Sequence, residues 1–315
     1  MGESMGGGLS AVDVRSHNLG LVLTCVDRAG RIARTELAAA TGLAPGAITL
    51  LISELSEAGF VRDAAIGPAR PGARGRPPRR LEIDGARIAL VGVRFVIDEI
   101  LLVAVDLAGR PLLRDRHAVR TPYADPAGVA DQIALLVEGA RLALAVQGAS
   151  AVRLVVVVPA PVRQPDETIP VAIDLGWRDV DLAALLGERV GGFALGIGII
   201  NDANAAAYAE FAELQALPGG EATTDVVYLK ADTGIGGGAV VGGRLLTGVD
   251  GIAFEPGHVV VVPGGAACEC GKRGCLVTVA GPDVVIERAG LAHERARSGL
   301  PAAVAELVRR ERAGD

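Results

Sequence analysis

Aromatic side chains, lysine and long apolar runs are scarce in this chain of 315 residues. Only 3% of the residues are aromatic while 50% are hydrophobic, so the core must consist of Ala, Val, Leu and Ile. No uncharged apolar run reaches the roughly 18 residues of a membrane helix. Residues 1–8 are polar and Gly-rich, without the apolar stretch of a signal peptide. We therefore expect a cytoplasmic protein with no membrane partner.

A strong excess of one charge is also missing. The net charge of −6 argues against a protein coated in nucleic acid. Residues 1–84 contain ten Arg and nine acidic residues, whereas the remainder contains 21 basic and 28 acidic residues. The length is sufficient for two or three domains.

Cysteine is sparse, and three of the four residues lie within eight positions. In a reducing compartment such clustering indicates metal binding in preference to disulfide bonds. His258, Cys268, Cys270 and Cys275 form the pattern His-x9-Cys-x-Cys-x4-Cys. One imidazole and three thiolates are a tetrahedral set that structural zinc prefers, so the pattern predicts one zinc ion. The alternatives are four unliganded side chains, or a catalytic zinc, which a complete four-ligand set disfavours because no position stays open.

Residues 1–66 have the pattern of a winged helix-turn-helix DNA-binding domain. Helices are expected over 17–29, over 36–40 with Thr35 as N-cap, and from 45 to about 58. Antiparallel strands are expected at 60–62 and 81–83. The first turn of the third helix offers only Thr49 for hydrogen bonds to bases, so its specificity should be weak. A helical module that binds no DNA is the alternative.

Residues 67–85 form an Arg-, Pro- and Gly-rich wing and linker. Five Arg and no acidic residue lie within 67–80, and the Pro and Gly content disfavours helix and sheet. One interpretation is a solvated linker. We favour a basic arm, because the segment follows a helix-turn-helix. Its contacts to phosphates or the minor groove would come from Arg70, Arg74, Arg76 and Arg79.

Beyond residue 86 the pattern changes to strands and helices in alternation. The expected helix is 126–147, and the expected strands are 88–95, 99–106, 112–120, 154–158, 195–200, 226–230 and 238–241. This order indicates an α/β domain of two lobes, 86–200 and 201–315, with a cleft between them.

The chain resembles the ROK family of repressors, open reading frames and sugar kinases over nearly its whole length. Besides the helix-turn-helix, the resemblance is carried by residues 174–179, Asn201-Asp-Ala-Asn204, 233–238, Glu255-Pro-Gly-His258 and the 268–275 cysteine motif. The last two motifs together are highly specific. The resemblance implies a ribonuclease-H-like, actin-like fold of two lobes, in the repressor branch of the family.

The resemblance also implies the site residues. Sugar contacts would fall on Asn201, Asp202, Glu255, His258 and Asp174, with Asp202 as the general base if the chain were a kinase. Zinc would shape the loop that presents Glu255 and His258. The phosphate loop would be Thr233, Gly234, Gly236 and Gly237. Two alternatives stay open, since Asp202 could cap a helix and the glycines could serve a hairpin.

Several departures from the family pattern argue against catalysis. The first phosphate loop is replaced by residues 93–98, which contain no Gly or Thr, and Asp232 replaces a Gly before Thr-Gly. Val277 replaces a sugar-binding Glu, and Asp174 replaces an Asn. The chain also ends soon after the cysteine motif, so we expect the second lobe to be truncated.

Three functions follow in order of preference. The first is a transcriptional regulator, expected to be a repressor, which binds an inverted repeat as a homodimer or higher homo-oligomer and responds to a sugar or sugar-derivative effector. The second is a degenerate protein with no activity. The third is an ATP-dependent sugar kinase, which the altered phosphate loop disfavours.

Overall fold

The computed structural model describes residues 11–64, 79–96, 99–120, 122–217, 222–232 and 234–314, without the side chains of 11–13 and 174. Three of the predicted DNA contacts, Arg70, Arg74 and Arg76, lie outside the described residues, as does Thr233 of the predicted phosphate loop. Among the described residues, no single helix is long and apolar enough to cross a membrane. Only the bent pair 34–41 and 45–57 passes that test together.

The N-terminal domain consists of three helices and a three-stranded sheet. Apolar side chains of all these helices meet in one core, where Val22, Leu37, Ile48 and Leu81 are buried. Gly42 takes a left-handed conformation with φ of 71° and ends the second helix. The elements are α1 (Ala11–Ala29), β1 (Ile32–Ala33), α2 (Arg34–Thr41), α3 (Pro45–Glu57), β2 (Val61–Asp63) and β3 (Arg80–Ile83).

The predicted winged arrangement is present in the described part of this domain. β3 pairs antiparallel with both β1 and β2, and Val61 lies opposite Ile83 as expected for the wing. The predicted cap of α2 was wrong. Ala33 occupies the N-cap position, and the Glu36 side chain accepts the Ala33 backbone N–H at 2.9 Å. Helix α2 therefore begins one residue before Thr35.

A five-stranded sheet forms the first lobe, in the order β10-β7-β4-β5-β6. Strands β10, β7 and β4 are parallel, whereas β4, β5 and β6 are antiparallel because short turns join them. Helices α4 and α5 contribute to the buried core on this sheet. The elements are β4 (Ile88–Val96), β5 (Glu99–Asp106), β6 (Pro111–Ala118), α4 (Pro126–Val146), β7 (Ser150–Val158), α5 (Leu182–Gly187) and β10 (Ile197–Asn201).

A hairpin that the sequence patterns did not predict lies between β7 and α5. Its strands are β8 (Ile169–Ala172) and β9 (Trp177–Val180), joined by a turn of 3-10 helix at Ile173–Leu175. Trp177 is buried, stacks on Phe95 with ring centroids 5.9 Å apart, and donates its indole N–H to the Tyr123 carbonyl at 2.7 Å. Trp177, within the 174–179 motif, therefore has a packing role, since its contacts hold the hairpin against the first lobe.

The second lobe begins with α6 and a three-stranded antiparallel sheet in the order β11-β12-β13. Helix α6 packs on β12 and β11. Gly238 permits this packing, since a Cβ there would lie 2.6 Å from the Ala203 carbonyl oxygen. The elements are α6 (Asp202–Ala216), β11 (Val226–Ala231), β12 (Ile235–Val241), β13 (Arg244–Leu245), α7 (Val277–Ala280), α8 (Pro282–Arg288) and α9 (Ala292–Ala313).

Candidate metal centre, effector cleft and DNA-binding surface

The four predicted metal ligands converge. The ligand atoms of His258, Cys268, Cys270 and Cys275 all lie within 4.8 Å of one another. The Nδ1 atom of His258 is 3.5 Å from the Cys268 Sγ, and the Sγ atoms of Cys270 and Cys275 are 3.6 Å apart. Tetrahedral zinc with Zn–S bonds of ~2.3 Å places its sulfur ligands about 3.8 Å apart. The spacing of the four side chains therefore fits a zinc-sized ion.

The backbone of the cysteine motif is folded tightly around this cluster. Cys268 donates its N–H to the Lys272 carbonyl at 2.9 Å, and Gly271 donates to the Cys268 carbonyl at 2.9 Å. Gly274 has a φ of 76°, and a Cβ there would lie 1.6 Å from the Val262 carbonyl oxygen. Only glycine fits at this position, which explains why it precedes Cys275.

Proton release accompanies any metal binding at Cys275. Burial raises the pKa of Cys275 to about 11, with a further contribution from the Cys270 and Cys268 thiols. Without an ion the Cys275 thiol therefore keeps its proton at neutral pH. Metal binding would have to release that proton, because the thiolate is the ligand form.

The predicted sugar residues Asn201 and Asp202 lie where β10 ends and α6 begins. Asn201 is the N-cap of α6, and its Oδ1 accepts the backbone N–H groups of Ala203 at 2.9 Å and Asn204 at 3.0 Å. The alternative that Asp202 caps this helix was wrong. Because Asn201 takes that position, the Asp202 carboxylate is free to point elsewhere.

Asp202 instead forms an ion pair that the sequence patterns did not reveal. Its Oδ2 accepts a hydrogen bond from the Nζ of Lys230 on β11. The Asp202 side chain is only 8% exposed and that of Lys230 is 22% exposed, so the pair is largely removed from water. Lys230 could have been singled out from the sequence, because it is one of only two lysines in the chain and lies in the strand before the Gly-rich motif.

Glu255 lies close to this pair. Burial raises the pKa of Glu255 to about 7, and the negative charge of Asp202 adds to the shift. Glu255 directly precedes the 3-10 turn Pro256–His258, and its carbonyl accepts the His258 backbone N–H at 3.1 Å. His258 turns Nδ1 toward Cys268, which leaves Nε2 as the ring nitrogen for any sugar contact. The turn thus connects the candidate metal ligands to Glu255 and Asp202.

The predicted phosphate loop is mostly strand. Gly234 precedes β12, whereas Gly236 and Gly237 lie within it. A Cβ at Gly237 would lie 2.7 Å from the Pro256 Cγ, and one at Gly236 would lie 3.1 Å from the Lys230 Cε. These glycines therefore have a packing role beside any contact with phosphate. Phosphate binding by this segment stays a prediction.

A second ion pair lies beside this segment. Arg94 Nη2, at the end of β4 in the first lobe, is 3.7 Å from the Asp232 Oδ2, which follows β11 in the second lobe. Both residues occupy places where the family resemblance implies phosphate loops. The side chains are 42% and 50% exposed, so water screens this pair.

Asp174 and Val277 are two positions where the sequence departs from the family pattern. Asp174 lies in the 3-10 turn of the β8–β9 hairpin, and its side chain is among those that the structure does not describe. Val277 begins α7, and a Cβ at Gly234 would lie 4.0 Å from the Val277 Cγ2. An apolar side chain therefore stands near the Gly-rich segment.

The described DNA-binding surface has few free polar groups. Thr49 is exposed on α3, but its hydroxyl donates to the Pro45 carbonyl at 3.0 Å. Ser53, one turn later on the same face, is also exposed and could have been found from this i, i+4 spacing. Arg79 donates to the Asp63 carboxylate at 3.2 Å.

Charge on this domain is concentrated outside the described part. Residues 11–64 and 79–85 contain seven Arg and eight acidic residues, whereas 65–78 contain three Arg and no acidic residue. That Arg70, Arg74 and Arg76 attract the phosphate backbone stays a prediction, and the charge balance of the described residues is consistent with it.

The fold and the motifs define a protein class, a winged helix-turn-helix domain joined to a kinase-type α/β domain. Sequence comparison gives the same division. Residues 16–62 match the winged helix-turn-helix DNA-binding family, and residues 90–299 match the ROK family. The chain belongs to the ROK family. The predicted family and fold class are thereby confirmed.

The relatives include both kinases and a regulator. A glucokinase of Streptomyces coelicolor is 33% identical over 210 residues, which cover 65% of this chain and 62% of that protein. An N-acetylmannosamine kinase of Shigella boydii is 32% identical over 202 residues, or 56% of this chain and 60% of that protein. This chain thus spans about three fifths of the length of these curated relatives.

Solved structures show the same fold. A ROK family transcriptional regulator, a homolog of the E. coli MLC protein, superposes with a TM-score of 0.73 at 24% identity and covers 90% of this chain and 68% of its own. A ROK glucokinase from Streptomyces griseus, in complex with glucose and AMPPNP, superposes with a TM-score of 0.55 at 29% identity, covering 70% of this chain and 71% of its own.

Proposed function

We propose that this protein is a sugar-responsive transcriptional regulator, acting as a repressor in the cytoplasm. One observation carries the proposal, namely that a winged helix-turn-helix and a ROK domain occur in the same chain. A homodimer would place two such domains on an inverted repeat of DNA. The effector would be a sugar or sugar derivative, held by Asn201, Asp202, Glu255 and His258. A structural zinc ion on His258, Cys268, Cys270 and Cys275 would fix the loop that carries two of these residues.

The domain division is compatible with transmission of a conformational change from the effector cleft to the DNA-binding domain. Residues 1–66 would bind DNA, 67–85 would form wing and linker, and 86–200 and 201–315 would be the two lobes. Only residues 84–87 separate β3 of the winged domain from β4 of the first lobe. A Cβ at Gly85 would lie 2.7 Å from the Asp106 Oδ2, so this linker packs closely on the lobe. A movement of the lobes should therefore reach the winged domain.

A mobility-shift assay on the DNA upstream of the gene tests the proposal. We expect a shifted band at low salt, and a change in affinity when glucose or N-acetylmannosamine is added. A folded protein that shifts no upstream fragment at low salt would contradict DNA-binding regulation.

The arm gives a sharper form of this test. The triple variant R70A/R74A/R76A removes three phosphate contacts, so the slope of log affinity against log salt should become shallower by about 2.7. The affinity itself should fall by more than tenfold at low salt. The control R114A/R244A/R288A makes the same change in net charge at exposed arginines of the ROK domain. Equal losses for both variants would show a general charge effect and no role for the arm.

A sugar kinase is the second candidate, and the retained Asn201, Asp202 and Glu255 favour it. Asp202 would then take the proton of the sugar hydroxyl. A coupled assay of ATP-dependent phosphorylation of glucose and N-acetylmannosamine tests this activity. Turnover that disappears in D202N would place the kinase first. We expect none, because Arg94 and Asp232 occupy the places where phosphate loops are expected.

A further inference from the structure

The Lys230–Asp202 pair changes what the cleft can bind. The Lys230 side chain reaches Asp202 along the face of β12, where Gly236 leaves room for its Cε. Strand register places Lys230 directly opposite Gly236, so the contact follows from the pairing of β11 with β12. A side chain at residue 236 would crowd the lysine stem. The pair is therefore built into the second-lobe sheet.

The pair sits among acidic groups. Glu255 is half-buried near Asp202, and two carboxylates that are partly removed from water repel each other at close range. Lys230 supplies the compensating positive charge, and it does so through Oδ2 of Asp202. Within the described part of the chain, no hydrogen bond is found to Asp202 Oδ1. One carboxylate oxygen is thus committed to the lysine, and the other is available to a donor from a ligand.

The Lys230 charge is already matched. Lys230 forms a largely buried ion pair with Asp202, whereas the exposed Arg94–Asp232 pair is screened by water. A phosphorylated ligand could recruit Lys230 only by separating it from Asp202, which would leave a buried carboxylate without a partner. Breaking a buried pair in this way is costly. A neutral hydroxyl group can instead donate to Asp202 with the pair intact.

We propose that Lys230 is a positioning residue that fixes the Asp202 carboxylate as a hydrogen-bond acceptor, and that the pair selects an unphosphorylated sugar over its phosphate. This proposal rests on the proposed sugar-binding function and specifies its ligand class. Lys230 does not contact the sugar in this arrangement. It acts through the orientation and charge of Asp202.

Calorimetric titration of the full chain with glucose, N-acetylmannosamine and their 6-phosphates tests the selectivity. The wild-type protein should bind one of the free sugars at least tenfold more tightly than its phosphate. K230M should weaken that sugar at least tenfold, whereas K230R, which keeps the charge, should restore most of the affinity. D202N/K230M should be no weaker than K230M, since the two residues act as one unit. A sugar phosphate that binds as tightly as the free sugar, or K230M with wild-type affinity, would overturn the proposal.

The rarity of lysine allows a direct measurement of the pair. With [15N]lysine labelling the protein has only two side-chain ammonium signals, from Lys230 and the exposed Lys272. The Lys230 ammonium should exchange its protons with water much more slowly than that of Lys272, and the difference should disappear in D202N. K272R removes the other signal and assigns the spectrum.

The exchange rates test the Lys230–Asp202 pairing separately from sugar binding. Equal exchange of the two lysines would refute the pairing, whatever the sugar data show. If the Lys230 signal is protected but no sugar binds any variant, the pairing is supported and the proposed sugar-responsive function is the part that fails. Because the spectrum is recorded on wild-type protein, this result does not depend on whether K230M folds.

Discussion

The two predicted halves of the cleft differ in how many of the residues implied by the family resemblance they retain. On the predicted sugar side, Asn201, Asp202 and Glu255 lie together, and the adjoining turn places His258 in a compact cluster of possible metal ligands. On the phosphate side, Arg94 and Asp232 pair with each other across the lobes. One ion pair within the protein thus takes the place where the family resemblance implies phosphate and its counter-charges.

This difference distinguishes the ability to bind a sugar from the ability to transfer a phosphoryl group to it. A kinase must hold the sugar and also stabilise the charge of a moving phosphoryl group, which requires donors and cations that are free to meet it. A receptor needs only the first of these abilities. The contrast therefore favours a cleft that recognises a sugar without phosphorylating it, as the attached winged domain also suggests.

Loss of the metal cluster should have the largest effect on the sugar side. C275S removes a buried ligand, and the zinc content should fall from about one ion per chain to nearly none, as measured by plasma mass spectrometry. Structural zinc contributes about 10–16 kcal/mol of binding free energy in small zinc domains, so the turn that carries Glu255 and His258 should lose its order. Sugar binding should be lost with it.

C25S is the matched control for this variant. Cys25 is packed against the core of the winged domain and takes no part in the cluster. Its substitution should leave the zinc content unchanged. Full zinc content in C275S, or no zinc in carefully prepared wild-type protein, would contradict the predicted site.

Substitution of Glu255 should have the next largest effect. E255Q keeps the shape of the side chain but removes the charged acceptor, and a hydrogen bond to a charged group contributes about 1.5–3 kcal/mol. The affinity for the bound sugar should fall by roughly 10- to 150-fold. Calorimetry at a fixed pH well above 7, where Glu255 is ionised, measures it, and unchanged affinity would remove Glu255 from the binding site.

Asp106 is a buried acid outside the cleft, and its substitution should affect stability without affecting sugar binding. Asp106 ends β5, at the opposite end of the first-lobe sheet from Arg94, and its side chain is 1% exposed. Its carboxylate accepts the backbone N–H groups of Ala108 and Arg110 at 2.9 Å and the Arg110 Nε at 2.7 Å. D106N should reduce the free energy of unfolding by about 1.5–3 kcal/mol, because the lost acceptor is charged and buried, and should leave sugar binding intact.

The pH dependence of this effect has a definite sign. Burial alone would raise the pKa of Asp106, but hydrogen bonds from Arg110 and Ala108 outweigh it and hold the pKa below its usual value of 3.8. The ionised group therefore stabilises the fold above that value, and the contribution is lost as pH falls through the lower folded pKa. Chemical denaturation should show wild type and D106N converging in acid. If the difference in free energy of unfolding between wild type and D106N grew as the pH fell, the predicted pH dependence would be wrong.

The sequence was informative where the relevant residues are close along the chain. The metal ligands His258 to Cys275 span 18 residues, and their spacing alone predicted a cluster that the fold brings together. The helix-turn-helix was equally accessible, because buried Ile48, Leu51, Ile52 and Leu55 recur at helical spacing. Local pattern and local structure coincide in both cases.

Contacts between distant strands were beyond the reach of such patterns. Asp202 and Lys230 are 28 residues apart, and they meet only because α6 packs on β11 and β12. The assignment of Asp202 as a helix cap failed for a different reason, because Asn201 precedes it and takes the cap position. Both residues are good caps, so the position of the first helical residue decides, and helix ends are uncertain by one or two residues.

The smallest effect is expected for the Arg94–Asp232 pair. Its side chains are 42% and 50% exposed and 3.7 Å apart, and exposed pairs of this kind contribute less than about 1 kcal/mol. A double-mutant cycle with R94Q and D232N, measured by chemical denaturation, should give a coupling of that size. The coupling should nearly vanish in 1 M salt, where the screening length is about 3 Å. A coupling above about 2 kcal/mol that survives salt would mean that the phosphate side is closed and dry, and that the pair locks the lobes.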